Sequence, residues 1–268
     1  MNENLFYGTP LPGVEQEHYS GKLIVIEGTD GVGRSTHTAL LRTWLESRGH
    51  AVLDTGMTRS VLAGRGIKEA KKGHTLGKLT MQLFYATDFI DRLENEMLPA
   101  LRAGFVVLTD RYIYSAMARA EVRGIDSAWI RAIYGMALVP DAVYYLRIQS
   151  PQQLVDRVLA SGRGFDYWES GMDMHLGSDF YDSFIAYQTR MLGVFDRIST
   201  EYGFHVLNAS RSVRGVAADL RRAVAKLVDE PAAGTVETPS LALQSKLAAL
   251  REVKAPAKEG KPRKIAAQ

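Results

Sequence analysis

Apolar positions along this chain follow two alternating rhythms. Short runs rich in β-branched residues, Lys22–Glu27, Ala51–Asp54, Phe105–Thr109, Ala142–Ile148 and Phe204–Leu207, read as five strands, and longer stretches with helical spacing separate them. Several runs are apolar on both faces, as buried strands joined by crossover helices must be, so the sheet is predicted to be parallel. The longest crossover spans Leu76 to Arg102, with an expected apolar stripe through Leu79, Leu83, Ala86 and Ile90 and a kink near Pro99. Further helices are predicted over 151–160, from Asp179 to Tyr202 and from Val213 to Val228. Trp129, Tyr134 and Met136, at helical spacing, are expected in the core.

The two ends differ in character from the middle. Residues 1–20, with Phe6, Tyr7, Pro10 and Pro12, read as an extended N-terminal arm lying over the domain, and 21–229 as one α/β domain. Residues 230–268 are rich in Ala, Pro and Lys and poor in aromatics, the profile of a basic, disordered tail, with Leu241–Val253 able to form a short amphipathic helix. From Arg251 onward there are six Lys or Arg against two Glu, a surplus of four; the net charge of the whole is +3, so the rest of the chain stands at −1. The folded part is therefore not a basic, nucleic-acid-sized surface, and contact with nucleic acid is expected, if anywhere, through the tail. The 268 residues contain no cysteine, which excludes disulfides and thiol chemistry. With no signal-like start and no apolar run of membrane length, the chain is expected to be cytoplasmic and free of the membrane.

Candidate chemistry begins in KLIVIEGTDGVGRST, where a strand enters a glycine-rich turn and then a helix. Gly28, Gly31 and Gly33 let the backbone turn tightly and present N–H groups to an anion, and the following helix start adds partial positive charge. Against G-x-x-x-x-G-K-[ST], Gly28, Gly33 and Ser35 fit, while Arg34 stands in the lysine position. Arginine keeps the charge but spreads it over a planar fork. A second constellation, Asp110-Arg111-Tyr112, ends the third strand at the same sheet edge. An acid there can hold Mg²⁺, and the adjacent arginine can clamp a second anion with two parallel hydrogen bonds. His37 and His175 lack any ligand-spaced partner and read as structural.

These motifs together are specific. IEGTDGVGRST, the Thr58-Arg59 pair after the second strand, LFYATD on a long helix, PALRAGFVVLTDRY, VPDAVYYLRI and GRGFDYWE resemble the thymidylate kinase family of nucleoside monophosphate kinases over residues 20–228. The resemblance implies an α/β P-loop fold, a five-stranded parallel sheet in order 2-3-1-4-5 with a lid segment. It also implies transfer of the γ-phosphoryl group from Mg-ATP to dTMP, and a homodimer. Carried over residue by residue, it assigns Gly28, Thr29, Asp30, Gly31, Val32, Gly33, Arg34, Ser35 and Thr36 to the ATP phosphates, with Ser35 and Asp110 at Mg²⁺. Arg34, Asp110 and the lid residue Arg163 become the catalytic set, with Arg157 an alternative to Arg163. Asp30, Arg59, Tyr85, Phe89, Arg111, Asp166 and Glu169 face the acceptor nucleotide, and Asn208–Ser210 the adenine.

Departures from the family pattern bear on the substrate. Spacing back from Pro99 puts Tyr85 at the base-stacking position and Phe89 where an arginine reads the base; Ala116 and Arg119 replace polar positions around the nucleoside, and Arg92 or Arg119 is expected to reach in instead. Tyr167-Trp168 stand where the lid usually has a basic residue. Other readings stay open: the same chemistry on another nucleoside monophosphate, a nucleotide-binding regulatory protein with little turnover, or a nucleic-acid end kinase using the tail.

Overall fold

The structure is a computed structural model that describes residues 5–14, 18–160, 162 and 164–229. The predicted tail, its Leu241–Val253 helix, the first four residues of the arm and Arg163 lie outside the described residues.

Five parallel strands, β1 (Lys22–Glu27), β2 (Val52–Gly56), β3 (Val106–Asp110), β4 (Ala142–Arg147) and β5 (His205–Asn208), form one sheet in the order β2-β3-β1-β4-β5. That is the predicted class and order. The strands begin or end one or two residues from the predicted bounds; the first was read without error. β1 lies at the centre, with Ile26 opposite Asp110 on β3 and Tyr144 on β4, so the ends of β1 and β3 reach the sheet edge together. Leu23, Ile24, Val25 and Ile26 are fully buried, as a strand covered on both faces must be. Edge strand β5 is largely exposed.

Crossover helices cover the faces: α1 (Arg34–Ser47), α2 (Gly64–Gly73), α3 (Lys78–Arg92), α4 (Leu98–Arg102), α5 (Ile113–Val122), α6 (Ser127–Ile133), α7 (Gln152–Ala160), α8 (Phe180–Glu201) and α9 (Val213–Val228). Asp179 and Ser212 cap α8 and α9 by accepting the Asp182 and Gly215 N–H groups, which is why both helices start where the sequence predicts. Among the described residues no helix is long and apolar enough to cross a membrane.

The crossover through α3 departs from expectation. Leu79 and Leu83 are 50% and 49% exposed, and the buried face carries Met81, Gln82, Tyr85, Ala86, Asp88, Phe89 and Arg92. Of the expected stripe, Ala86 is buried and Ile90 half-buried, while Leu79 and Leu83 were placed on the wrong side, because three polar side chains of α3 are used inside. A π-helical turn, Leu93–Met97, precedes Pro99, so the regular winding of α3 is interrupted where the kink was expected. Of the three expected core residues 129, 134 and 136, Tyr134 is buried, Met136 is half-buried, and Trp129 is 36% exposed.

The described part of the arm runs beside the segment before β4. Val139 donates its N–H to the Leu5 carbonyl, Tyr7 and Gly8 donate to the Ala137 and Gly135 carbonyls, and Phe6 is buried opposite Leu138. Tyr7 sits in an aromatic group with Tyr114 and Tyr202, and the Tyr7 and Tyr114 hydroxyls are 2.5 Å apart. Phe6→Ala is expected to cost about 3 kcal/mol, the order found for emptying a buried phenylalanine site. Urea denaturation checks this, and an unchanged midpoint would show that the arm contributes nothing to the fold.

Candidate active site

β1 delivers the chain to the sheet edge, where Gly28 to Gly33 form the loop that leads into α1. Gly31 and Gly33 have φ of +78° and +98°, conformations that side chains with a Cβ rarely adopt, and a Cβ on Gly31 would come within 3.1 Å of Val158. Gly33 precedes α1 without any side-chain cap, in contrast to the capped starts of α6, α8 and α9. The first N–H groups of α1 are thus left to an external partner, and an anion suits them through both hydrogen bonding and the helix dipole. The loop residues Asp30, Gly31 and Gly33 and the helix residues Arg34, Ser35 and Thr36 line a cavity of 650 Å³.

Arg34 folds back against this loop. Its Nε donates to Asp110 Oδ1 at 2.9 Å, and its Nη1 donates to the Gly28 carbonyl at 2.7 Å and to the Thr29 carbonyl. Ser35 Oγ donates to the other oxygen, Asp110 Oδ2, at 2.8 Å. Burial alone would raise the Asp110 carboxyl, but the Arg34 and Arg111 guanidiniums and the Ser35 hydrogen bond outweigh it and hold the group below its ordinary range. A hydroxyl and an ionised carboxylate side by side are hard oxygen donors, a set that fits Mg²⁺, which takes one or two protein oxygens and fills its other positions with water and phosphate. No group of three or more His, Cys, Asp or Glu able to hold a metal occurs among the described residues.

Arg111 follows β3 with φ of +71°, an uncommon conformation for a residue with a side chain. This turn aims its guanidinium under the loop: Nη1 donates to the Ser115 hydroxyl at 2.8 Å and to the Gly28 carbonyl at 3.2 Å, and Nη2 donates to Asp30. Arg119, two turns along α5 from Arg111, donates from Nη2 to both oxygens of Asp30 at 3.0 and 3.3 Å. Asp30 is 2% exposed. Its burial works against ionisation, yet Arg111, Arg119 and Arg34 hold it well below the carboxylate range. Burial and the nearby Arg34 lower Arg111 to about 10, so it remains charged at neutral pH. Behind them, Glu27 is wholly buried and accepts from the N–H groups of Tyr112 and Ser115 and from the Ser115 hydroxyl, fixing the start of α5.

A second cavity of 540 Å³ lies on the far side of Asp30, lined among others by His74, Met81, Gln82, Tyr85, Arg119, Tyr167 and Trp168. Tyr167 lines both cavities, and Arg119 of the second is bonded to Asp30 of the first. The segment 164–175 roofs them. Asp166 Oδ1 accepts the N–H groups of Trp168 and Glu169, and Trp168 donates its indole N–H to the Lys71 carbonyl at 3.0 Å. Arg123 grips the segment through both oxygens of Asp173 and also donates to the Tyr187 hydroxyl. Glu169 is raised chiefly by the Asp30 carboxylate and then by burial.

Most of the predicted set therefore converges. Gly28, Thr29, Asp30, Val32, Ser35, Asp110, Arg111, Tyr85, Asp166 and Glu169 all lie on the loop, its bonded partners or the two cavities. Two do not. Phe89 is buried between the rings of Tyr112 and Tyr134, with centroids 5.2 and 5.6 Å away, because an apolar ring on that face of α3 finds an aromatic core and not the cavity. Arg59 turns to Asp54 at 2.8 Å, outside the lining of both cavities. Arg92 is likewise tied to Asp88, whereas Arg119 does reach in. Arg157 donates to the Val32 and Ala209 carbonyls, joining the loop to the turn that holds Asn208–Ser210. Arg123, Asp88 and Gln82 escaped the sequence reading. Asp88 accepts the Thr58 and Ser60 N–H groups and shapes the loop after β2, a contact without local signature.

A model of the thymidylate kinase family matches residues 26–220. The chain belongs to the thymidylate kinase family. It is 36% identical over 210 residues to "Probable thymidylate kinase 2" of Saccharolobus solfataricus, covering 78% of this chain and 98% of that protein. It is also 36% identical over 158 residues to "Thymidylate kinase" of Clavibacter sepedonicus, covering 56% and 74%, and 35% identical over 133 residues to "Probable thymidylate kinase" of Thermococcus kodakarensis, covering 46% and 64%. The family match covers both cavities' loop, β3 end and roof.

Removing the Asp30 charge leaves two buried guanidiniums without their counter-ion. Asp30→Asn is expected to lose roughly 3–5 kcal/mol at pH 7, the cost of breaking a buried pair on one side. A depressed carboxyl stabilises the fold above its unfolded pKa, about 3.9, and loses that contribution as pH falls through the folded value. Urea midpoints measured from pH 7 to pH 2 should therefore fall less steeply below about pH 4 in Asp30→Asn than in the natural chain. Parallel acid limbs would remove Asp30 from this role.

Proposed function

We propose that the chain transfers the γ-phosphoryl group of ATP to the phosphate of dTMP, giving ADP and dTDP. The observation that carries this reading is the junction of an anion-binding loop cavity and an aromatic-lined cavity at the Asp30–Arg119 pair and Tyr167. Donor phosphates belong in the first, against the loop backbone and the uncapped start of α1; the acceptor belongs in the second, with Tyr85 against its base. Arg111 and Arg119 stand at the junction, where a monophosphate would meet the donor. Phosphoryl transfer asks the protein mainly for positioning and for neutralising charge, and these residues supply both.

Ser35 and Asp110 would hold Mg²⁺, which neutralises charge on the donor phosphates when bound. Arg34 keeps its loop bonds through Nε and Nη1, and its Nη2, which makes no hydrogen bond among the described residues, is the donor assigned to the transferring group. Arg163 is the proposed lid arginine; in sequence it sits directly before Gly164, Phe165 and Asp166, which line the phosphate cavity. Asp166 and Glu169 shape the roof over Asp30. We read the protein as a cytoplasmic homodimer; the exposed Leu79 and Leu83 on α3 support a paired surface, and the cysteine-free composition suits a reducing compartment. The basic residues after Arg251 play no part in the reading.

The test is a coupled ADP-release assay with a panel of nucleoside monophosphates. Turnover of order 1–100 per second with dTMP, and clear preference for it, is expected; faster use of another monophosphate, or tight ATP binding without transfer, would overturn the assignment. Arg34→Ala should lower kcat roughly a hundredfold while changing the KM for dTMP only a few-fold, since its charge acts on the transferring phosphate. A kcat like that of the natural chain would dismiss Arg34 from the reaction.

A further inference from the structure

We propose that Gln82 reads the edge of the acceptor base. The inference rests on the acceptor occupying the cavity beside Asp30, and adds what selects the base there. Gln82 lies on α3 three residues before Tyr85, on the same buried face, and both line the cavity. Its side chain is 2% exposed, and its amide oxygen Oε1 is buried with no hydrogen-bond partner. Buried amides are nearly always paired, so an unpaired one on a cavity wall marks a group kept for a ligand.

Other polar residues of the wall are already engaged. Arg119 is bonded to Asp30, Arg123 to both oxygens of Asp173, and the His74 ring packs against Tyr167 at 4.1 Å. Among the described lining residues, Gln82 alone pairs burial with an unpartnered side-chain atom. Phe89, lacking a donor and buried among Tyr112 and Tyr134, leaves the reading of the base to another residue.

The chemistry selects a pyrimidine with a ring N–H beside a carbonyl. A glutamine amide has one acceptor and two donors, so Oε1 accepts the thymine N3–H while Nε2 donates to O4, a two-point match. The terminal torsion of glutamine is broad and two-fold, so the amide turns to this orientation at little cost. Tyr85, one turn further along, offers its ring to the base face. Sites that pair a substrate N–H in a buried setting reject analogues lacking it, because the protein group is then left unpaired.

The experiment compares dTMP with N3-methyl-dTMP, which lacks the N3–H, in the natural chain and in Gln82→Met, which keeps length but not the amide. In the natural chain, kcat/KM should fall at least about tenfold on N3 methylation. In Gln82→Met, the KM for dTMP should rise by about tenfold with kcat and the KM for ATP nearly unchanged, and the two acceptors should differ by about twofold or less. Equal use of both acceptors by the natural chain overturns the proposal, whether or not the variant folds. Undiminished discrimination in Gln82→Met overturns it as well. Failure of the natural chain to phosphorylate dTMP is seen before any variant is made, and removes the functional reading itself.

Discussion

The site is organised around one buried carboxylate. Asp30 belongs to the loop, Arg111 to the end of β3 and Arg119 to α5, and their ion pairs tie three separate segments to a point nearly closed to water. None of the three would be tolerable there alone. Two guanidiniums so close repel one another, and a carboxylate at 2% exposure would be driven to its neutral form without them. Together they gather two guanidiniums where the two cavities meet, with a third, Arg34, acting on Asp30 from the loop side and the Glu27, Asp110 and Glu169 carboxyls close by. On the proposed reading, the guanidiniums that stabilise the loop also stand where the second phosphate would arrive.

How legible this was depended on the range of the interactions. The strands, the loop and the helix starts at Asp179 and Ser212 are encoded within a few residues, through β-branched runs, glycines at positive φ and capping side chains, and these the sequence pattern places well. The α3 face was legible only in part, with Ala86 buried as expected. Helical periodicity assigns the apolar side inward, and here Gln82, Asp88 and Arg92 turn inward instead, because Asp88 must hold the Thr58 and Ser60 backbone and Gln82 lines a cavity. Leu79 and Leu83 are displaced to the surface as a consequence. Phe89 was assigned by matching the spacing from Asp88 to Pro99 to the family pattern, and such a match in residue number says nothing of which way a side chain faces.

Contacts between distant segments were beyond any local pattern. Arg123 closes its grip on Asp173 across 50 positions of sequence, and Trp168 reaches Lys71 across 97. Both pin the roofing segment, one to α5 and the other to the end of α2, so the roof rests on the elements that wall the acceptor cavity. The His74 ring, set by a left-handed cap at the end of α2, fills the same seam against Tyr167 and Trp168. On the proposed reading, an aromatic pair here, where the resemblance leads to a basic residue, would exchange charge over the phosphates for apolar closure over the acceptor. The cations needed at the junction are then supplied from below, by Arg34, Arg111 and Arg119.

Arg34 fits this arrangement better than its departure from the lysine pattern first suggests. An ammonium is a single mobile point charge, whereas the guanidinium presents fixed donors in a plane. Here Nε and Nη1 are spent on Asp110, Gly28 and Thr29, so the cation is anchored by the loop it serves. The two oxygens of Asp110 are divided accordingly: Oδ1 faces the guanidinium, and Oδ2 faces the Ser35 hydroxyl on the side suited to Mg²⁺. In the proposed reaction reach would be lost, since an anchored group cannot follow a departing phosphoryl group. Preorganisation would be gained, because donors already fixed need not reorient as charge develops on the transferring oxygens, and that is the more valuable property where catalysis is electrostatic.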